Sequence, residues 1–217
     1  MRLASVNIGR PKELIVGGRT ITTGIYKRPV LGIVHVGRLG LDGDTVVDSK
    51  VHGGPDQAVY VYGSEDYDWW SGRFGRPLEP GFFGDNLTVD GLASADFAVG
   101  DRLAIGDAVV LEVSAPRMPC NTLAQRIGSA QFVKFFRDAE RPGLYCRVVA
   151  EGAVRLGDPV AHQPCAGERV TMVELFRAHY EKQTAEATLR RFLAVPLAER
   201  VRKEKQEQLA KLTAPAT

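Results

Sequence analysis

In the run Val113-Ser114-Ala115-Pro116-Arg117-Met118-Pro119-Cys120-Asn121, a thiol and a guanidinium share a backbone stiffened by two prolines. Each proline fixes its own φ and pushes the residue before it towards extended geometry. Ala115 and Met118 are therefore predicted to be extended, and Cys120 to follow a rigid, non-helical segment. Arg117 carries a permanent positive charge three residues before the cysteine. A nearby cation favours thiolate over thiol, the form that attacks electrophiles or ligates soft metals. The same segment also suits a cysteine packed at a strand end as a small hydrophobe.

Other residues able to bind a ligand stand beside glycines. Gly53-Gly54 can expose backbone N–H groups without Cβ obstruction and form an anion-binding concavity, flanked by Lys50 and His52. Gly53-Gly54-Pro55-Asp56 and Gly84-Asp85-Asn86 are equally good turn chemistry, and His52 alone equally suits a hydrogen-bonded structural histidine. Asp42, Asp44 and Asp48 cluster oxygen ligands, but they lack the glycine and distal glutamate of an EF-hand loop and are not read as a metal site.

Three segments in order, His52-Gly53-Gly54-Pro55-Asp56-Gln57-Ala58-Val59-Tyr60, Phe83-Gly84-Asp85-Asn86-Leu87-Thr88-Val89-Asp90-Gly91-Leu92 and the cysteine run, resemble the MOSC-domain family. Within it they are most similar to the YiiM-type branch, associated with resistance to N-hydroxylated purines. The likeness extends through Gly40-Leu41-Asp42-Gly43-Asp44 and Gly143-Leu144-Tyr145-Cys146-Arg147, and covers most of the first 165 residues. It implies a molybdenum cofactor, a pterin dithiolene whose metal takes one protein thiolate, here Cys120. The cofactor-binding set it implies is Lys50, His52, Gly53, Gly54, Asp56, Asn86, Arg117, Cys120 and Asn121, with Asp56 and Asn86 bonding the pterin edge. The branch often carries a lysine two positions after the cysteine, whereas this chain has Asn121-Thr122-Leu123. One phosphate contact is thereby lost, and Arg126 is a candidate to replace it.

Elements must position these residues. Up to about residue 165 the chain reads as short strands broken by glycine and proline: Leu31 to Val36, Ala58 to Tyr62, and Leu144 to Val149 with Cys146 on the core face. A hairpin runs from Asp101 to Val113, turning at Gly106-Asp107, and its return strand delivers the cysteine segment. Ser64 is a candidate N-cap for a helix over Glu65 to Gly72, in which Trp69 and Trp70 pack. Thr122 to Ala139 is helical with a break at Gly128. Beyond Ala166, Thr171 and Glu174 form a capping box for a helix to about Lys182. A second helix ends near Val195, before Pro196, and a third carries Leu197, Val201, Leu209 and Leu212. The expected fold is mainly β with α: a MOSC-type β-barrel domain over 1–165, then a small three-helix domain over 166–217.

Of the 217 residues, 44% are hydrophobic and 25% charged, the composition of an ordinary globular protein able to bury a core. A net charge of +2 gives no general reason for nucleic-acid or membrane binding. Arg200, Arg202, Lys203 and Lys205 alternate with Glu199, Glu204 and Glu207, which reads as a solvated helix face rather than a nucleic-acid surface. No apolar run reaches the roughly eighteen residues of a membrane span, and a cytoplasmic location is expected. Three widely spaced cysteines, Cys120, Cys146 and Cys165, argue against a disulfide framework and cannot supply an all-cysteine iron–sulfur cluster.

The resemblance implies a reductase that converts N-hydroxylated compounds, such as hydroxylamino-purines, to amines, with Cys120, Arg117 and His52 as its catalytic residues. Arg117 or His52 would stabilise or protonate the departing oxygen. The chain has no dinucleotide fingerprint, P-loop or cluster cysteines, so electrons would come from a separate reductase, a flavoprotein. Two other readings stay open: a sulfur or molybdenum-cofactor carrier with a persulfide or ligand on Cys120, and a cysteine hydrolase with His35 or His52 as base.

Overall fold

The computed structural model describes residues 1–47 and 53–214. Short β-branched and apolar runs between glycine turns form thirteen strands: β1 (Arg2–Gly9), β2 (Lys12–Val16), β3 (Arg19–Thr23), β4 (Lys27–Pro29), β5 (Val34–Gly37), β6 (Gly40–Leu41), β7 (Val59–Gly63), β8 (Leu87–Asp90), β9 (Arg102–Ile105), β10 (Val109–Ala115), β11 (Leu144–Ala150), β12 (Gly152–Val154) and β13 (Val160–Gln163). Eight of them make one sheet in the order β13-β9-β10-β11-β7-β8-β1-β4. β2 and β3 form a hairpin apart from it, and β12, β5 and β6 a third small sheet.

Among the described residues, six α-helices join these strands. Within the large sheet β7 and β8 pair in parallel, which demands a crossover, and α1 (Ser64–Phe74) provides it. α2 (Asn121–Ile127) and α3 (Phe132–Ala139) lie between β10 and β11. Gly128, left-handed at φ 79°, ends α2, which is the break expected there. α4 (Met172–Ala178), α5 (Glu186–Leu193) and α6 (Glu199–Thr213) follow the last strand. The Thr171 side chain accepts from the Glu174 N–H at 3.1 Å, as a capping residue should.

The fold is mixed α/β with a large sheet, and that sheet is not closed into the expected barrel. β1 gives Asn7–Gly9 to β4, so only its first residues can meet the segment ahead of β13. There Leu3 N donates to Asp158 O at 2.8 Å and Val160 N to Met1 O at 3.0 Å, with a single bridge, Arg2 to Pro159, in place of a ladder. Two local expectations also shift. The strand expected from Leu31 begins at Val34, with Leu31 and Ile33 exposed, and Gly63 rather than Ser64 caps α1. Ser64 lies inside the helix, and its Oγ accepts from Gly91 N.

Two core clusters hold the elements. The aliphatic one joins sheet residues such as Val36, Leu103, Leu111 and Cys146 to Met172, Leu175 and Phe192 of the C-terminal helices. The Cys146 thiol is fully buried and burial pushes its pKa up, so it packs as an inert core group. The second cluster is aromatic: Tyr62, Trp70, Phe83, Phe132, Phe136 and Phe176, with Trp70 Nε1 donating to Tyr62 Oη at 2.8 Å. Trp70 is buried as expected, while Trp69 stays 39% exposed.

Candidate functional site

Pro116 cannot donate to a ladder, so β10 stops at Ala115 and the chain leaves the sheet along the braced segment. Cys120, extended at φ −126° and ψ 164°, becomes the N-cap of α2, its carbonyl accepting from Ala124 N at 3.1 Å. Its thiol lines a cavity of about 490 Å³ bounded by the β2–β3 hairpin, the segment 44–47, Tyr60, Tyr145 and Arg117.

Arg117 is 4% exposed. Its Nη1 donates to the Phe83 carbonyl, its guanidinium lies 4.8 Å from the Tyr60 ring centre, and its charge interacts with the Cys120 side chain. Its Nε is buried without a partner. Burial works against this charge, but Arg117 would lose its proton only after the neighbouring Tyr145, Tyr60 and Cys120 had lost theirs, so its pKa is raised and it keeps its proton. Burial likewise raises the pKa of Tyr60 and Tyr145, against the opposing pull of Arg117, leaving both phenols neutral.

Sequence reasoning missed most of the opposite wall. Lys27 and Asp44 form an ion pair with side chains only 8% and 6% exposed. Asp44 also accepts from Gly9 N at 2.7 Å and from Asn86 Nδ2 at 2.8 Å. Burial lowers the Lys27 pKa while Asp44 opposes that shift. Asn86 in turn accepts from Tyr60 N at 3.1 Å, fastening β7 to the turn ahead of β8. Asp44 had stood out as an oxygen ligand, but nothing local pointed to a lysine seventeen residues earlier.

Of the expected site residues, Gly53, Asn86, Arg117 and Cys120 meet at this cavity. Lys50 and His52 lie outside the described residues. Gly54 and Asn121 are not among the lining residues; Thr122 lines the cavity where Asn121 was expected. Asp56 faces elsewhere: Oδ1 accepts from Arg147 Nε at 3.0 Å and Oδ2 from Glu199 N at 2.8 Å, so both oxygens are engaged in holding α6. Arg126 is likewise absent from the cavity wall, against its expected role as a replacement phosphate contact. Among the described residues no histidine lines the cavity, and His35 is an exposed residue 3.9 Å from Glu151, so it is not a base for Cys120.

The MOSC domain family matches residues 48–161, from the glycine-rich segment to the first half of β13. The chain belongs to the MOSC-domain family, within its YiiM-type branch. YflK of Bacillus subtilis is 42% identical over 153 residues, 70% of this chain and 69% of YflK. A Gibberella moniliformis protein named reductase is 35% identical over 164 residues, and the aligned stretch spans 73% of this MOSC chain but only 28% of that protein. The crystal structure of YiiM from Geobacillus stearothermophilus superposes with a TM-score of 0.79 at 31% identity, covering 96% of this chain and 98% of the other. Among the described residues of this MOSC protein, no helix is long and apolar enough to cross a membrane.

Proposed function

We propose that this MOSC protein is a molybdenum-cofactor-dependent reductase of N-hydroxylated compounds such as hydroxylamino-purines, fed by a separate electron-donor reductase, a flavoprotein. The balance is R–NHOH plus two electrons and two protons to R–NH2 plus water. The observation that carries this reading is Cys120 beside the buried, charged Arg117 at the wall of a cavity of about 490 Å³. A soft thiolate ligand and an orphaned buried guanidinium N–H suit a metal–dithiolene group with negative charge. Cys120 would hold its metal, with Arg117, Gly53 and Asn86 around it. Lys50 and His52 join this proposal from the sequence. Bound there, the group supplies two-electron oxygen-atom chemistry.

The chain's own residues prepare that chemistry. Arg117 keeps its proton, so it stabilises developing negative charge and does not act as an acid. Tyr60 gives its hydroxyl hydrogen to Pro142 O at 2.9 Å. Tyr145 lines the same cavity with a neutral phenol. Tyr60, Tyr145, Ile25 and the hairpin residue Ile21 offer ring and aliphatic surface to a flat heterocycle. His52 remains the proton donor in this proposal.

The test is reconstitution with molybdenum cofactor and a chemical reductant, followed by assay of a hydroxylamino-purine. Cys120→Ala is expected to lose at least about a hundredfold in turnover, and Cys120→Ser to lose stoichiometric molybdenum by elemental analysis. A Cys120→Ala protein as active as wild type would reject the assignment. A persulfide on Cys120 by mass spectrometry, with no turnover by the wild type, would make the protein a sulfur carrier instead.

A further inference from the structure

Behind Lys27, which lines both spaces, lies a second cavity of about 270 Å³ bounded by Arg28, Arg76, Arg126, Tyr26 and Phe82. Its rings alternate with cations. Lys12 Nζ is 4.2 Å from the centre of the Tyr26 ring, which also has the Arg126 guanidinium at 5.0 Å. Arg126 is 5.6 Å from the Phe82 ring centre, and Arg76 is 5.4 Å from the same ring. Positive charge is thus collected along one wall of a chain whose net charge is only +2.

That charge is not matched by direct ion pairs. Among the described residues no carboxylate forms an ion pair with Arg28, Arg76 or Arg126, although Glu79 lies on the cavity rim. The neighbouring pair of Lys27 and Asp44 is already matched. Nη1 of Arg126 is buried and has no hydrogen-bond partner. Burial lowers the Arg126 pKa, Tyr67 and Asp85 offset this only in part, and an anion here would offset it further. The rings already carry cations against them, so charge is what the cavity has to offer a ligand. A tetrahedral oxyanion presents acceptors to several planar guanidinium forks at once.

We propose that this second cavity binds the phosphate group of a small ligand between Arg28, Arg76 and Arg126. The proposal is independent of the reductase reading, because it concerns binding outside the Cys120 cavity and is read without turnover. Isothermal titration of the full chain at constant ionic strength with inorganic phosphate, adenosine 5′-monophosphate and adenosine tests it. Phosphate should bind with a dissociation constant of about 1 mM or tighter. Arg76→Gln and Arg126→Gln should each weaken it at least about tenfold, the loss of one charge-assisted hydrogen bond. Arg126→Lys, which keeps the charge but loses the fork, should lose less.

A monophosphate binding about tenfold tighter than inorganic phosphate identifies a phosphorylated small molecule; equal binding identifies free phosphate. Arg76 is exposed, so its variant reports on the site even where an Arg126 variant fails to fold. No binding, binding unchanged in Arg76→Gln (an adventitious ion only), or adenosine binding as well as its monophosphate would each overturn the proposal.

Discussion

The buried pair of Lys27 and Asp44 sets the electrostatics of the wall facing Cys120. Taking two charges out of water is costly, and the pair persists because Asp44 collects further bonds from Gly9 and Asn86. Removing one member strands the other. Lys27→Met should therefore lower the unfolding free energy by about 3 kcal/mol, measured by urea denaturation. Lys27→Met combined with Asp44→Leu should recover part of that loss, since no charge is then left buried alone. A single variant as stable as wild type would show the pair to be solvated.

At the scale of elements, the cavity joins main-sheet residues, Lys27, Tyr60 and Tyr145, to pieces that the sheet does not contain. The β2–β3 hairpin brings Ile21, Thr22 and Thr23 to its edge, and α2 brings Cys120 and Thr122. α6 is positioned from the far side by Asp56, which bonds its first N–H and the Arg147 guanidinium together, while Arg147 reaches the Leu197 carbonyl at 3.1 Å. Asp56→Ala removes a helix-start acceptor and an ion pair in one step. A loss of about 1–2 kcal/mol is expected in chemical denaturation, with cofactor loading unchanged if Asp56 serves only α6. Loss of cofactor without loss of stability would return Asp56 to the site.

The C-terminal helices share both core clusters with the sheet, so the molecule responds to acid partly through them. Glu204 on α6 stands 3.8 Å from His179 Nδ1 and 3.0 Å from Lys205 Nζ. The His179 contact foremost, then Lys205, hold its pKa down to about 2 from 4.5, against the cost of burial. The unfolded chain takes up the proton first, so this contribution is complete above about pH 4.5 and disappears as the pH falls towards 2. Unfolding curves over that range should be less steep in pH for Glu204→Gln than for wild type. Identical pH dependence would remove Glu204 from the account.

What was legible in the chain alone is what covalent geometry and local periodicity control. Pro116 and Pro119 forced an extended approach to Cys120, Gly106-Asp107 turned the β9–β10 hairpin, Gly128 separated α2 from α3, and Thr171 capped α4. The three motif segments carried the family, and eight of their residues converge on one cavity. The failure of the sheet to close, the Lys27–Asp44 pair, the diversion of Asp56 to a helix 143 residues away, and the turning of Arg126 into a second cavity were decided only in three dimensions. Each depends on which distant side chain meets a given polar group once water is excluded. Local sequence patterns specify that a carboxylate is present, whereas the packed chain selects its partner.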